Sequence, residues 1–341
     1  MRAPAFWWRP PGLLAWLLSP IGWVYGAITL RRMRRPGADC GVPVICVGNF
    51  VAGGAGKTPT AIALADMLAQ RGETPFVLMR GYGGSLRGPV EVHPQHHAAR
   101  AVGDEPLLMA RHARTVVARD RVAGASLARA LGASVIVMDD GLQNPSLAKR
   151  WRLAVVDGAS GVGNGLCLPA GPLRAPLDAQ LGEIDTVLVI GPGAAGEGVA
   201  VAAGRRGIAC LNARLEPAAE ASARLNGQPV LAVSGIGRPE KFAGTLRDAG
   251  ARIVAERAYG DHHPYTADDV AAIVAEATLY DSLVATTEKD MVKLAPLWPD
   301  SERARLLCVP VRLVLDEPEA MAALVAGAAA APSAPTGAAQ P

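Results

Sequence analysis

Cysteine is scarce and scattered: Cys40, Cys46, Cys167, Cys210 and Cys308 lie far apart, with no C-x-x-C pair among the five. That spacing argues against a disulfide framework or a zinc knuckle and favours a reducing compartment with buried thiols. Charge is sparse as well. Asp, Glu, Lys and Arg together make up 19% of the chain, and the net charge is only +3. There is no global basic field for wrapping nucleic acid, so any strong charge effect must be local. Aromatic residues are only 4%, yet four of the six tryptophans, Trp7, Trp8, Trp16 and Trp23, fall in the first 23 residues. The amino terminus is a separate physical object. What the chain has in plenty is apolar side chains, 50% of 341 residues. At roughly 150 residues per domain this length gives about two domains with real cores, and whole-chain disorder is excluded.

From Pro11 to Leu30 no residue is charged, and Arg31, Arg32, Arg34 and Arg35 follow at once. A cleaved signal peptide would place small residues after the apolar core, where these arginines stand instead. A spanning helix would be barely long enough, and Pro20 with Gly22 would interrupt it. A helix packed on the protein's own core is the bland alternative. The segment reads best as a broken apolar helix in the membrane interface, with tryptophans at headgroup depth and arginines on anionic lipid phosphates. The arginines then place the chain on the cytoplasmic face of the membrane.

Val42–Val47 is a short β-branched run, expected as a buried parallel strand. It leads into Gly53, Gly54, Ala55, Gly56, Lys57 and Thr58, followed by an apolar helical pattern through Ile62, Leu64, Ala65 and Leu68. Strand, glycine loop and helix in this order suit a nucleotide phosphate. Backbone N–H groups cradle the oxygens, Lys57 adds charge at the β and γ phosphates, and Thr58 offers a hydroxyl to Mg²⁺. The spacing G-x-x-x-x-G-K-[ST] asks for glycine at position 51, which is Val51 here. A second apolar strand, Ala133–Met138, runs into Asp139 and Asp140, either of which suits the metal. No N-K-x-D string is present; the nearest, Thr287-Glu288-Lys289-Asp290, has Glu for Asn, which favours ATP over GTP.

Between these signals, Gly103-Asp104-Glu105-Pro106 opens a helix. Acidic residues suit a helix start, and Asp104 equally suits a carboxylate that accepts a hydroxyl proton. Asp261-His262-His263-Pro264-Tyr265 precedes a helix beginning at Thr266. His262 is either a plain loop histidine or a partner that orients a catalytic carboxylate. His93, His96 and His97 lie in a polar loop without a partner cysteine and read as solvated.

Eight segments carry a resemblance. GNFVAGGAGKTPT, RGYGG, GDEP, DDGLQN, LPAGPLRAP, SGIGRPEKF, GDHHPY and TTEKDMVKL, in this order, resemble the tetraacyldisaccharide 4'-kinase (lipid A 4'-kinase) family, in which Val51 in place of the first glycine is usual. The departures are Leu142 and Asn144, where the family commonly reads DDGFQH. The resemblance implies an ATP- and Mg²⁺-dependent kinase acting on the 4'-hydroxyl of a tetraacylated glucosamine disaccharide 1-phosphate, with no obligate protein partner. Lys57 and Thr58 would bind phosphate and Mg²⁺, Asp139 or Asp140 would complete the metal site, Asp104 would act as base and His262 would pair with it. Arg80, Tyr82 and the Leu168–Pro176 loop with Arg174 would lie near the substrate. The rival from another class is a membrane-associated P-loop ATPase switch with no lipid acceptor.

The expected architecture is α/β, a P-loop NTPase-like doubly wound sheet with a second, smaller α/β domain and an N-terminal membrane-contacting helix. Residues 1–34 form the apolar and basic segment, 35–225 the kinase domain and 226–318 the smaller domain, with strands at Pro229–Val233, Arg252–Ala255, Leu283–Thr286 and Leu306–Val314. Gly191–Gly198 reads as a surface loop, and 319–341, rich in Ala, Pro and Gly, as a disordered tail.

Overall fold

The computed structural model describes residues 3–330. Thirteen strands form among them: β1 Val44–Gly48, β2 Pro75–Met79, β3 Val90–Glu91, β4 Arg114–Val117, β5 Val135–Asp139, β6 Trp151–Asp157, β7 Thr186–Ile190, β8 Ala209–Pro217, β9 Pro229–Ser234, β10 Arg252–Ala258, β11 Leu283–Thr287, β12 Leu306–Val309 and β13 Val311–Leu315. Nine make one sheet in the order β13-β8-β7-β6-β1-β5-β2-β4-β3, parallel except for β13 and β3 at the edges. The other four, β10-β9-β11-β12, make a second, fully parallel sheet.

Every residue of β1, β5 and β7 is buried, as a sheet covered on both faces requires. Ile45 and Val47 of β1 join Val135, Val137, Leu153 and Val155 beneath helix Lys57–Gln70. On the opposite face Val44, Phe76 and Ile136 meet Ala125 and Ala128 of helix Arg121–Ala130, and Val187 and Val189 meet Val199 and Ala203 of helix Ala194–Gly204. That last helix begins inside the glycine-rich stretch expected as a loop, because Val199 and Ala203 supply one apolar side that β7 buries. In the smaller sheet, Phe242 and Leu246 of helix Pro239–Asp248 cover one face. Val270, Ile273 and Ala277 of helix Ala267–Leu279 cover the other, behind a capping box formed by Thr266 and Asp269.

The carboxyl-terminal region differs from its expectation. Leu306–Val314, read as one strand, is two: β12 stays in the smaller sheet, while β13 returns to pair antiparallel with β8. Residues 319–330, expected as tail, belong mostly to a helix, Pro318–Ala329, whose Met321, Val325 and Ala328 are buried in the core shared with helix Lys57–Gln70. The rest of that expected tail, 331–341, lies outside the described residues. The smaller sheet is therefore an insertion between β8 and β13.

The amino-terminal helix is continuous from Leu13 to Met33, not broken. Proline removes the N–H that would reach the carbonyl of Trp16, and the Ser19 hydroxyl donates to that carbonyl instead, at 2.8 Å. Ala15, Gly22, Gly26 and Met33 form its buried stripe. A Cβ on Gly22 would stand 2.6 Å from the carbonyl oxygen of Cys167, so only glycine permits this approach. The opposite side carries exposed Leu13, Leu14, Trp16, Leu17, Ile21, Trp23, Val24 and Ile28. The helix is long and apolar enough to cross a bilayer by length and composition, yet one side is committed to protein. Trp7 fastens its start, donating from Nε1 to the carbonyl of Pro169 at 3.0 Å. Trp8 lies under the Arg238 guanidinium, 5.0 Å from ring centre to Cζ. Arg238 and Lys241 of the smaller unit both pair with buried Asp157 at the end of β6, Arg238 at 2.9 Å.

Candidate active site

The loop after β1 and the turn after β5 open side by side at the carboxyl ends of neighbouring parallel strands, where α/β sheets bind ligands. Gly56 ends the loop with φ at 90° and is the N-cap of helix Lys57–Gln70. A Cβ there would meet the tip of Ile190, Cδ1, at 2.6 Å, a contact that side chain could relieve, so it is the backbone angle that demands glycine. At Gly53 and Gly54 a Cβ would meet nothing within 4 Å; this is the open floor of the loop. Lys57 Nζ lies 3.3 Å from the carbonyl oxygen of Gly53 and 3.7 Å from Asp140 Oδ1. Asn49, buried below, donates to the same Gly53 carbonyl at 2.9 Å. Val51 does not floor the loop. It is buried and bridges to Leu173, with Ala52 N–H donating to the Pro172 carbonyl at 2.8 Å. The front half of the loop is thereby pinned to the Leu168–Pro176 segment, which explains why a glycine is not needed at 51.

The two aspartates after β5 differ. Asp140 receives two hydrogen bonds from Arg174, at 2.9 and 3.2 Å. Burial would raise its carboxyl, but Lys57 and then Arg174 outweigh it and hold the group near 2. Asp139 is buried, and its Oδ1 has no hydrogen-bond partner. Burial pushes this carboxyl up to about 7 against the Lys57 charge. Among the described residues, no three His, Cys, Asp or Glu side chains are grouped to hold a metal unaided. A buried carboxylate oxygen without a partner, beside a helix start bearing Thr58, does suit Mg²⁺, which takes few protein oxygens and completes its shell with phosphate and water.

Asp104 starts helix Asp104–Met109, which packs against helix Lys57–Gln70. His262, in left-handed backbone conformation with φ at 60°, comes from the loop after β10 in the smaller unit. Its Nδ1 lies 2.9 Å from Asp104 Oδ1 and 3.0 Å from Oδ2. Although burial would raise the Asp104 carboxyl, the His262 hydrogen bond and the charges of Lys289, His262 and Lys293 lower it to about 2. In return the Asp104 bond raises the His262 imidazole above its ordinary value, against burial and the Lys289 charge. Tyr82 is mostly exposed, with its ring 5.3 Å from that of His262. Arg80 is exposed just past β2. Its charge adds to burial in lowering the guanidinium of Arg121 to about 10.

Matching a family model described as tetraacyldisaccharide-1-P 4'-kinase, LpxK, takes in residues 14–329. The chain belongs to this kinase family. Proteins named tetraacyldisaccharide 4'-kinase from Methylobacterium sp. strain 4-46 and Methylobacterium radiotolerans are 55% and 56% identical to it. The first alignment spans 96% of this chain and 99% of the relative, the second 97% and 100%. A crystal structure of LpxK from Aquifex aeolicus in complex with ATP is similar in fold, with TM-score 0.72 and 23% identity, over 93% of this chain and all of that one. The kinase-family motif DDGFQH is altered here at Leu142 and Asn144. Leu142 closes over Gly48, and Asn144 Oδ1 accepts from the Ser146 N–H at 2.9 Å, so it caps a local turn.

Several residues at the site escaped sequence reasoning. Gln143 links Arg174 Nη1, at 3.0 Å, to the carbonyl of Asn49, at 2.9 Å. Lys289 Nζ lies 3.0 Å from Asp261, 3.3 Å from Glu105 and 3.3 Å from His262 Nε2. Lys293 Nζ lies 3.3 Å from Asp104. The signal is present in the sequence: two lysines four apart put both charges on one helix face. Conversely, His93, His96 and His97 gather on one another and beside Glu91, with the N–H of His93 donating to His97 Nδ1 at 3.0 Å and His93 Nε2 3.8 Å from Glu91.

Proposed function

We propose that this chain transfers the γ-phosphoryl group of ATP to the 4'-hydroxyl of a tetraacylated glucosamine disaccharide 1-phosphate, the step of lipid A synthesis that its relatives' names describe. The observation that supports the chemistry is the Asp104–His262 pair, assembled across two units, with Asp104 at the start of a helix that packs against helix Lys57–Gln70 behind the loop of Gly53–Thr58. Phosphoryl transfer asks chiefly for positioning and for neutralising charge. The loop N–H groups and Lys57 hold the triphosphate, and Lys57 balances charge on the departing β,γ-bridging oxygen. Asp104 accepts the proton as the 4'-oxygen bonds to phosphorus and the bridging P–O bond breaks, and His262 orients the carboxylate. Thr58 and Asp139 are the residues that suit Mg²⁺, which supplies further neutralisation of the phosphate oxygens when bound. Asp140 is committed to Arg174 and Lys57, so it organises the turn. Tyr82 beside His262, Arg174 on Asp140 and the exposed Arg80 are the candidates for meeting the sugar and its phosphate.

As a member of a family acting on lipid, this is a membrane-associated bacterial protein. The bare apolar side of helix Leu13–Met33, with Arg31, Arg32, Arg34 and Arg35 at its end, supports attachment in the interface on the cytoplasmic face. A P-loop switch would need no carboxylate–imidazole pair. Purified full-length chain incubated with γ-labelled ATP, Mg²⁺ and a bacterial lipid extract is expected to label a disaccharide lipid. Release of inorganic phosphate alone would favour the switch instead.

A further inference from the structure

We propose that Lys293, anchored by Asp290, is a positioning residue that fixes the Asp104 carboxylate toward the acceptor hydroxyl. This rests on the reading of Asp104 as base and extends it to how the base is held. Lys293 lies on helix Glu288–Leu294 of the smaller unit, whereas Asp104 starts a helix of the larger one. Its ammonium sits between two carboxylates, 3.3 Å from Asp104 Oδ2 and 3.2 Å from Asp290 Oδ1. Lys293 is 10% exposed, Asp104 6% and Asp290 fully buried. An ammonium this deep is tolerated only with charge partners.

Asp290 is the fixed end of the row. Its Oδ2 accepts from the backbone N–H of Gly235 at 2.8 Å and from the Thr287 hydroxyl at 2.8 Å. Oδ1 is thereby turned toward Lys293, and Tyr265, whose hydroxyl also interacts with the Asp290 carboxylate, closes the back of the cluster with its ring centre 5.4 Å from Nζ. Backbone of the smaller unit thus holds Asp290, Asp290 holds Lys293, and Lys293 holds Asp104. Neither Asp290 Oδ1 nor Lys293 Nζ makes an aligned hydrogen bond. The contact acts through charge, which sets where the carboxylate stands. His262 alone would not do this, because Nδ1 is almost equidistant from both Asp104 oxygens. Lys293 holds Oδ2 while the Glu105 N–H donates to Oδ1 at 3.0 Å, so the carboxylate is fixed from both sides. Lys289, one turn earlier, serves Glu105, Asp261 and His262 and does not duplicate the contact.

The test uses full-length enzyme in mixed micelles with ATP, Mg²⁺ and lipid acceptor, comparing wild type with Lys293→Met, Lys293→Arg, Asp290→Asn, Asp104→Asn and the double variant Asp104→Asn/Lys293→Met. Lys293→Met is expected to lower kcat by about 10-fold or more, leaving KM for ATP within about twofold, and Lys293→Arg to recover most of the rate. Asp290→Asn should lower kcat in the same direction, since it loosens the anchor. In the Asp104→Asn background, Lys293→Met should add less than about twofold, because its effect passes through the carboxylate. A normal kcat in Lys293→Met, or a loss undiminished in the Asp104→Asn background, overturns the proposal. So does loss of cooperative melting in both Lys293→Met and Asp290→Asn, which would assign the lysine to fold stability. An Asp104→Asn enzyme near the wild-type rate sinks the base reading itself; an inactive Asp104→Asn beside a normal Lys293→Met sinks this proposal alone.

Discussion

His262 Nδ1 stands 2.9 and 3.0 Å from the two oxygens of Asp104, 158 residues earlier in the chain. The pair acts as a unit, so its members should fail together. Asp104→Asn and His262→Gln are each expected to reduce kcat by about 10²-fold, and the double variant by little more than either. Initial rates of lipid labelling, with circular dichroism melts as the folding control, check this. Multiplicative losses would mean independent roles.

Asp104 also links the site to pH. Its carboxyl is held near 2 against an ordinary 3.8, so the charged form stabilises the folded state. That contribution is present above the unfolded value and fades as pH falls toward the folded one. The lowering corresponds to ~2 kcal/mol at neutral pH, of which about half is gone by pH 3. Urea melts of wild type and Asp104→Asn should therefore show a stability gap that narrows between pH 6 and pH 3. A gap constant with pH would show that Asp104 contributes no charge linkage.

Gly56 and Gly54 separate folding from binding. With φ at 90°, Gly56→Ala should cost about 1–3 kcal/mol and abolish nucleotide binding. A Cβ at Gly54 meets open space, so Gly54→Ala should melt like wild type while weakening nucleotide affinity. Differential scanning fluorimetry with and without ATP and Mg²⁺ reads both effects. A destabilised Gly54→Ala, or a Gly56→Ala that still binds, contradicts the geometry.

On the amino-terminal helix, Leu17 is 68% and Trp23 83% exposed. Replacing both by lysine should leave the melting temperature unchanged and weaken flotation with anionic phospholipid vesicles by at least about 10-fold. Gly22→Leu, on the packed side, should instead lower the melting temperature. Undiminished flotation of Leu17→Lys/Trp23→Lys would move the membrane contact elsewhere.

Local signals made much of this molecule readable. The strand, glycine loop and GKT end are contiguous, and their chemistry is set by neighbours in sequence. Asp104 and His262 are each legible as candidates from their local context, but their pairing comes only from the resemblance, since the fold alone brings them together. Lys289 and Lys293 are hidden in the sequence because Glu105 and Asp104, which they reach, lie in another unit. Val51 looked like a defect until its bridge to Leu173 supplied a reason. The carboxyl-terminal helix carries apolar Met321, Leu324 and Val325 at helical spacing, but the lack of charge after Glu319 makes it resemble tail. Pro20 appeared to break the first helix because the Ser19 bond that compensates it has no mark in composition.

The smaller unit departs at Pro217 and returns at Val311, and these two residues are paired, with Ala218 N–H donating to the Pro310 carbonyl at 2.9 Å. Both attachments therefore sit on one narrow edge, like a door whose two pins share a jamb. His262 and Lys293 reach Asp104, and Lys289 reaches Glu105, from beyond that edge, so the base keeps its partners only while the two units stay docked.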